Sequence, residues 1–107
     1  MPSYTLVVMS QPVEGREEEY NAWYTGRHLD DVLRLPGLVS ARRYKLGKDQ
    51  VASHPYLALY NIETDTVDET LAELMKRANS DDMPISEALG DVNMMVFEAI
   101  TPTILPK

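Results

Sequence analysis

The sequence predicts one α+β domain of 107 residues with the element order β-α-β-β-α-β. Four short runs rich in apolar, β-branched and aromatic residues are typical of strands. Between the first and second runs, and again between the third and fourth, apolar residues recur at helical spacing. This order is that of the split-βαβ, ferredoxin-like arrangement, with a four-stranded antiparallel sheet and two helices on one face.

The first strand is predicted over Tyr4–Met9, and the segment after it predicts two helical pieces. Negative charges in the early turns suit the start of a helix over Glu14–Tyr24. A straight continuation would have to bury two opposite faces, because the aromatic residues before position 25 and the leucines after it point in nearly opposite directions. We therefore expect a break at Gly26, held at a positive φ angle, with Thr25 capping a second piece over Arg27–Leu35.

Two further strands are predicted on either side of a short turn. Leu38–Lys45 alternates, so Leu38 and Arg42 are expected on one face of the sheet and Arg43 on the other. Tyr56–Ile62, rich in leucine and tyrosine, is the third strand.

The second helix is expected to begin at Thr66, which forms a capping-box pattern with Glu69. Its apolar residues share one stripe at helical spacing, namely Val67, Leu71, Leu74, Met75 and Ala78. The last strand is predicted over Val92–Ile100, and both of its alternation sets are apolar. Two helices cover only one face of a sheet, so we expect a homodimer formed through the other sheet face.

Composition excludes several classes of function. The chain carries 17 acidic and 10 basic residues and a net charge of −7, so nucleic acid and anionic membrane surfaces are not expected partners. The absence of cysteine excludes disulfides and thiolate sites and favours a cytoplasmic location. With two histidines only, no metal site is expected, and His54 is interpreted as a solvated loop residue. No apolar run reaches membrane-spanning length and no signal peptide is evident.

One segment resembles a known family. It carries an aromatic–histidine motif, a Pro-Gly stop and a strand with two arginines, in the order Trp23-Tyr24-x-x-x-His28-Leu29, Leu35-Pro36-Gly37, Ser40-Ala41-Arg42-Arg43-Tyr44. This pattern resembles the EthD-like members of the dimeric α+β barrel superfamily, and the predicted element order agrees over essentially the whole chain. The resemblance implies a pocket between helices and sheet in each protomer, and two sheets packed face to face.

His28 matches the motif histidine and is the expected catalytic residue. An imidazole with an unperturbed pKa near ~6.5 can accept or donate a proton at neutral pH. Asp31, three residues on, is expected to contact it across a helix turn and fix its tautomer. The alternative is a structural histidine bonded to a backbone group.

Aromatic residues and one arginine complete the expected site. Trp23, Tyr24, Tyr20 and Tyr60 are expected to line a flat apolar pocket, although core packing is the alternative for each. Arg43 is expected to steady a carboxylate or enolate of the ligand. An internal partner, Asp31 or Glu98, is the alternative, because a charge on an apolar strand face is costly without an anion nearby.

The resemblance implies a small cofactor-free enzyme of the lyase, isomerase or monooxygenase type, acting on a compact aromatic or polyketide-like molecule. The superfamily also includes haem-degrading enzymes, so His28 as an axial haem ligand is a lesser alternative. Two interpretations without catalysis stay open as well. One is a non-enzymatic ligand-binding or stress-associated dimer of the same fold, and the other is a pocket simply filled by Trp23 and Tyr24.

Overall fold

The computed structural model describes residues 1–107 and confirms the α+β, ferredoxin-like prediction. The four strands are β1 Ser3–Pro12, β2 Leu38–Lys45, β3 Tyr56–Glu63 and β4 Leu89–Glu98. The helices are α1 Glu17–Trp23, α2 Leu29–Leu33 and α3 Val67–Arg77, and a π-helical turn over Tyr24–His28 joins α1 to α2. None of these helices is both long and apolar enough to span a membrane.

The sheet has the strand order β2-β3-β1-β4, and all neighbouring strands are antiparallel. β1 therefore lies in the interior, where Val8 pairs with Ala58 of β3 on one side and with Met94 of β4 on the other. The main core lies between the sheet and the helices. It joins helical residues such as Tyr20, Tyr24 and Val32 to sheet residues such as Leu6, Tyr60 and Ile62.

The predicted break at Gly26 is wrong, and the π-helical turn explains why. Gly26 does not have a positive φ angle, and no side chain caps α2, whose first flanking residue His28 has helical angles (φ −64°, ψ −39°). A π-helical turn takes one extra residue, which rotates the next helical segment by about 100° relative to a straight α-helix. The helix thereby buries Tyr20 before the turn and Val32 after it without interrupting the chain direction.

A second local irregularity corrects the predicted faces of β2. The pairing of β2 with β3 shifts between Leu38 and Ser40, so a β-bulge lies at the start of the strand. Leu38 consequently pairs with Ile62 and shares the helix-covered face with Arg43, not the face of Arg42. An inserted residue reverses the alternation, and a bulge leaves no clear mark in an apolar pattern.

The start of α3 and the bounds of β4 also differ from the predictions. Thr66 makes no capping hydrogen bond to α3, because its hydroxyl lies 3.2 Å from Thr64 Oγ1 instead. In α3 the stripe is only partly buried, since Met75 is 58% exposed. β4 begins three residues earlier than predicted and ends at Glu98, which leaves Ile100 outside the sheet and almost fully exposed.

The sheet face opposite the helices, here called the outer face, is apolar across three strands. Its residues alternate with those of the core, namely Val7, Met9, Leu57, Leu59, Met95 and Phe97. Phe97 is 55% exposed and Met95 38% exposed. β4 is solvent-exposed along its helix side as well, where Met94 and Val96 lie open.

Candidate functional site

A cavity of about 230 Å³ lies between the helices and the sheet. Fifteen residues line it, of which fourteen are hydrophobic, so His28 is the one exception. The wall includes strand residues Leu6 and Val8, helix residues Leu74 and Met75, and loop residues Met83 and Ile85. Such a wall favours an apolar, uncharged ligand. A charged ligand would lose its hydration on entering the cavity, and the wall carries no opposite charge to offset that cost.

His28 sits in this wall between two aromatic rings. Its imidazole stacks on Trp23 at 4.6 Å between ring centroids and meets Tyr24 edge-on at 5.0 Å. Nδ1 is enclosed and has no hydrogen-bond partner within the chain. Burial lowers the pKa of His28 to about 4, against a smaller opposing influence of the Asp31 carboxylate. The imidazole is therefore neutral at neutral pH.

Asp31 does not orient His28, which corrects the expected contact. The Asp31 carboxylate is buried and accepts hydrogen bonds from Arg27 Nε at 3.0 Å and Arg34 Nη1 at 3.3 Å. These arginines lie four residues before it and three residues after it, which places them on the same helix face. His28 is thus influenced by the carboxylate charge without being held by it.

Three of the expected aromatic residues, Trp23, Tyr24 and Tyr60, border the cavity. Trp23 Nε1 donates to the Pro84 carbonyl oxygen at 3.0 Å, which ties the helix to the loop that covers the cavity. Tyr60 donates its hydroxyl to the Tyr24 hydroxyl oxygen at 3.2 Å. Burial raises the pKa of Tyr24 to about 12 and that of Tyr60 further still, so both phenols remain protonated.

Tyr20 lies outside the cavity wall, so the expected ligand contact is not made. Its side chain is fully buried, and its hydroxyl lies 2.6 Å from Ser10 Oγ. Its ring is edge-on to Tyr24 at 5.7 Å and tilted against Tyr56 at 5.1 Å. Tyr20 is a core residue whose ring packs against the Tyr24 ring.

Arg43 also lies outside the wall and makes no ion pair with Asp31 or Glu98. Its guanidinium lies over the Tyr24 ring at 4.5 Å and donates hydrogen bonds to Asn21 Oδ1 and Thr25 Oγ1, each at 2.9 Å. The expected contact with a carboxylate in the cavity is therefore not available, because Arg43 does not line the cavity and its guanidinium is held over the Tyr24 ring.

The loop over residues 79–88 supplies wall residues that sequence reasoning missed. Met83 is 1% exposed and Ile85 is partly buried, although both lie in a stretch rich in polar residues. The sequence feature that could have indicated this burial is the pair of large apolar side chains, Met83 and Ile85, on either side of Pro84. Buried residues in a loop do not recur at a fixed spacing, so an analysis of apolar periodicity cannot detect them.

His54 differs from the solvated residue that the sequence suggested. It is partly buried, with Nε2 at 2.7 Å from Asp91 Oδ2 and Nδ1 at 2.8 Å from Ser53 Oγ. This pair joins the segment before β3 to the start of β4, and neither of its residues lines the cavity. Nowhere do three or more histidine, aspartate or glutamate side chains gather in a group that could hold a metal ion.

No family model and no curated protein matches the chain in sequence. Solved structures match in shape over nearly the whole chain at low identity. The heme-degrader MhuD from Mycobacterium tuberculosis is 14% identical with a TM-score of 0.64, and the match covers 94% of this chain and 98% of that one. SnoaB, a cofactor-independent oxygenase from Streptomyces nogalater, is 17% identical with a TM-score of 0.60 over all of both chains.

An EthD family protein from Bacillus halodurans C-125 is 16% identical with a TM-score of 0.53, and the match covers 94% of this chain and all of that one. This chain has the ferredoxin-like α+β fold that these solved structures share. The EthD-like resemblance found in the sequence is thereby confirmed. At these identities the likeness extends to the fold and not to a reaction.

Proposed function

We propose that this chain is a small cofactor-free enzyme that removes a proton from a compact, uncharged aromatic or polyketide-like molecule bound in the cavity. One observation carries this proposal. The His28 imidazole, whose buried Nδ1 has no hydrogen-bond partner within the chain, belongs to the one residue of the fifteen in the wall that is not hydrophobic. A buried nitrogen without a partner is costly to the fold, and such groups are characteristic of sites that bind a ligand.

The chemistry follows from the protonation states of the wall. His28 is in its free-base form at neutral pH and can accept a proton from an acidic C–H or O–H group of the ligand. The electron pair left behind is delocalised onto an oxygen of the ligand, which would accept a hydrogen bond from the protonated Tyr24 hydroxyl. Tyr24 is suited to this role because Tyr60 already donates to it, so its own hydrogen has no acceptor within the chain.

This first step is common to the lyase, isomerase and monooxygenase reactions that the EthD-like resemblance implies. Removing the proton creates an imidazolium and an oxyanion side by side in an apolar enclosure, where opposite charges stabilise each other strongly. The low pKa of His28 therefore opposes protonation only while the ligand remains uncharged. A cavity of about 230 Å³ suits a compact ligand, since ordinary pockets for small molecules span ~300–1,000 Å³.

Haem does not fit the cavity. A porphyrin is a large ligand with two carboxylates, whereas the free volume is about 230 Å³ and no cation lines the wall. Arg43, the nearest candidate for a carboxylate partner by sequence, is held over the Tyr24 ring and does not line the cavity. The proposed proton transfer therefore uses side chains of this protein and involves no haem.

One observation favours a second candidate function, non-enzymatic binding of the same class of ligand. With its pKa lowered to about 4, His28 is a weak base, and it would serve well as a hydrogen-bond acceptor alone. In both cases we propose a homodimer through the outer face, supported by the exposed Met95 and Phe97 side chains. A cytoplasmic location is the proposal that suits a chain without cysteine.

Proton–deuterium exchange separates the two candidates. Indan-2-one is a compact, uncharged aromatic ketone whose α protons are acidic, and its deuteration in D₂O can be followed by proton NMR. We expect the protein to accelerate exchange over buffer by at least ~10²-fold, and His28→Ala to lose that acceleration while still folding. Binding of indan-2-one without acceleration would favour the non-enzymatic candidate. Full acceleration by His28→Ala would refute the role of His28.

A further inference from the structure

Arg43 is a cation without an anionic partner. It lies on β2, faces the helices and is partly buried, yet no carboxylate forms an ion pair with it. Instead, two neutral oxygens hold its guanidinium, Asn21 Oδ1 in α1 and Thr25 Oγ1 in the π-helical turn. These two residues bracket Tyr24 along the helix. The Arg43 guanidinium is therefore held in a fixed position by neutral hydrogen-bond acceptors, and its positive charge is not paired with a carboxylate.

That place is one face of the Tyr24 ring, outside the residues that line the cavity. The guanidinium carbon is 4.5 Å from the Tyr24 ring centroid, and 5.3 Å and 5.4 Å from those of Tyr20 and Tyr56. Tyr24 lines the cavity whereas Arg43, Tyr20 and Tyr56 do not. The Tyr24 ring thus contacts the fixed cation and also borders the ligand space with His28.

We propose that Arg43 is a positioning residue for Tyr24: its guanidinium holds the ring against the cavity and makes the Tyr24 hydroxyl a stronger hydrogen-bond donor to a ligand oxygen. This proposal rests on the proposed function only in taking the ligand to carry an oxygen that gains negative charge. It also defines the class of ligand. The cation favours charge that develops on the ligand during the reaction, but no ligand carboxylate can reach it to form an ion pair.

The physical basis is the attraction between a cation and both the face of an aromatic ring and the negative charge that grows on its hydroxyl oxygen. Arg43 acts to lower the pKa of Tyr24, opposing the larger effect of burial. A planar guanidinium suits this task better than an ammonium, because it can stack on the ring while two of its N–H groups remain bonded. Tyr60 adds to the effect, since its hydroxyl donates to the same oxygen.

The first test uses the ligand-free protein. Carbon-13 NMR of tyrosine labelled at Cζ reports the electron density of each phenol, and the Tyr24 signal is assigned by its loss in Tyr24→Phe. We expect Arg43→Gln to shift the Tyr24 signal, and Arg43→Lys to restore part of the shift because the charge is kept. Lys45→Gln is the matched control. It removes the same charge from the same strand, but Lys45 lies over the Tyr56 ring at 5.9 Å and not over Tyr24.

The second test measures binding of two probes that differ by one oxygen, indan-2-one and indane. We expect Arg43→Gln to weaken binding of indan-2-one by about three- to tenfold, because a hydrogen bond assisted by charge is stronger than a neutral one. Binding of indane should change less than twofold. Lys45→Gln should leave both affinities unchanged.

An unchanged Tyr24 signal in Arg43→Gln overturns the proposal whether or not either probe binds. An equal loss of affinity for indan-2-one and indane also overturns it, because Arg43 would then serve packing alone. If the wild-type protein binds neither probe, the proposed function fails, and the shift of the Tyr24 signal still decides whether Arg43 polarises the phenol.

Discussion

His28 should make the stability of the folded protein depend on pH between 8 and 5. Its folded-state pKa is about 4, because burial disfavours the imidazolium, whereas the unfolded value is 6.5. As the pH falls through 6.5, the unfolded chain takes up a proton that the folded chain still resists. Lowering the pH therefore favours unfolding, and this loss of stability is complete once the pH falls below about 4.

The size of the effect is set by the two pKa values. Between pH 8 and pH 5 the unfolded state gains about 2 kcal/mol relative to the folded state from this one group. Because the ring is only partly enclosed, we take about 1 to 2 kcal/mol as the expected loss. Carboxylates with ordinary pKa values remain largely ionised over this range, so they add little to this dependence.

Urea unfolding at pH 8, 6 and 5, at one protein concentration, measures this dependence. We expect the wild-type protein to lose about 1 to 2 kcal/mol across the range and His28→Gln to lose correspondingly less. His54→Gln is the control, because it removes the other histidine, which does not line the cavity. A wild-type stability that does not fall, or a His28→Gln variant that keeps the full slope, would refute the burial argument.

The helix turn, the outer face and the cavity loop each give a further prediction. Gly26→Ala should be neutral or raise the free energy of unfolding by up to ~1 kcal/mol, since its φ is not positive and a Cβ there meets nothing within 4 Å; a lower melting temperature would contradict the π-helical turn. Light scattering should give about twice the 12.1 kDa chain mass, and Phe97→Asp should return it to one chain; a wild-type monomer would disprove the interface. Met83→Ala should cost ~2–5 kcal/mol in urea unfolding, because Met83 is 1% exposed, and a cost under 1 kcal/mol would mean that the loop is not packed.

The element order could be predicted from the sequence because strands and helices differ in the period of their apolar residues. The same pattern revealed a conflict after Tyr24, where two helix faces both needed burial. Its resolution could not be predicted, because a break at Gly26 and an inserted π-helical turn both rotate the helix. The structure uses the turn, and Gly26 remains helical.

The candidate site was predictable in part. Trp23, Tyr24 and His28 belong to a local motif, and the structure brings them together because they lie within two helical turns. For Arg43 the sequence indicates the correct region but the wrong contact. The position of Arg43 depends on the bulge in β2 and on the rotation of the helix at the π-helical turn. Neither feature can be predicted from the spacing of residues in the sequence.

The most direct test of the central claim is a titration with indan-2-one, followed by NMR, of the protein labelled with ¹⁵N in histidine and tryptophan. Trp23 is the only tryptophan, and its ring stacks on the His28 imidazole at 4.6 Å. Its indole signal therefore needs no further assignment and reports the surroundings of His28. We predict that indan-2-one shifts the His28 ring nitrogens and the Trp23 indole signal in parallel, with one affinity, while His54 remains unchanged. Saturating indan-2-one that leaves the His28 nitrogens unmoved would contradict the claim that His28 faces the ligand.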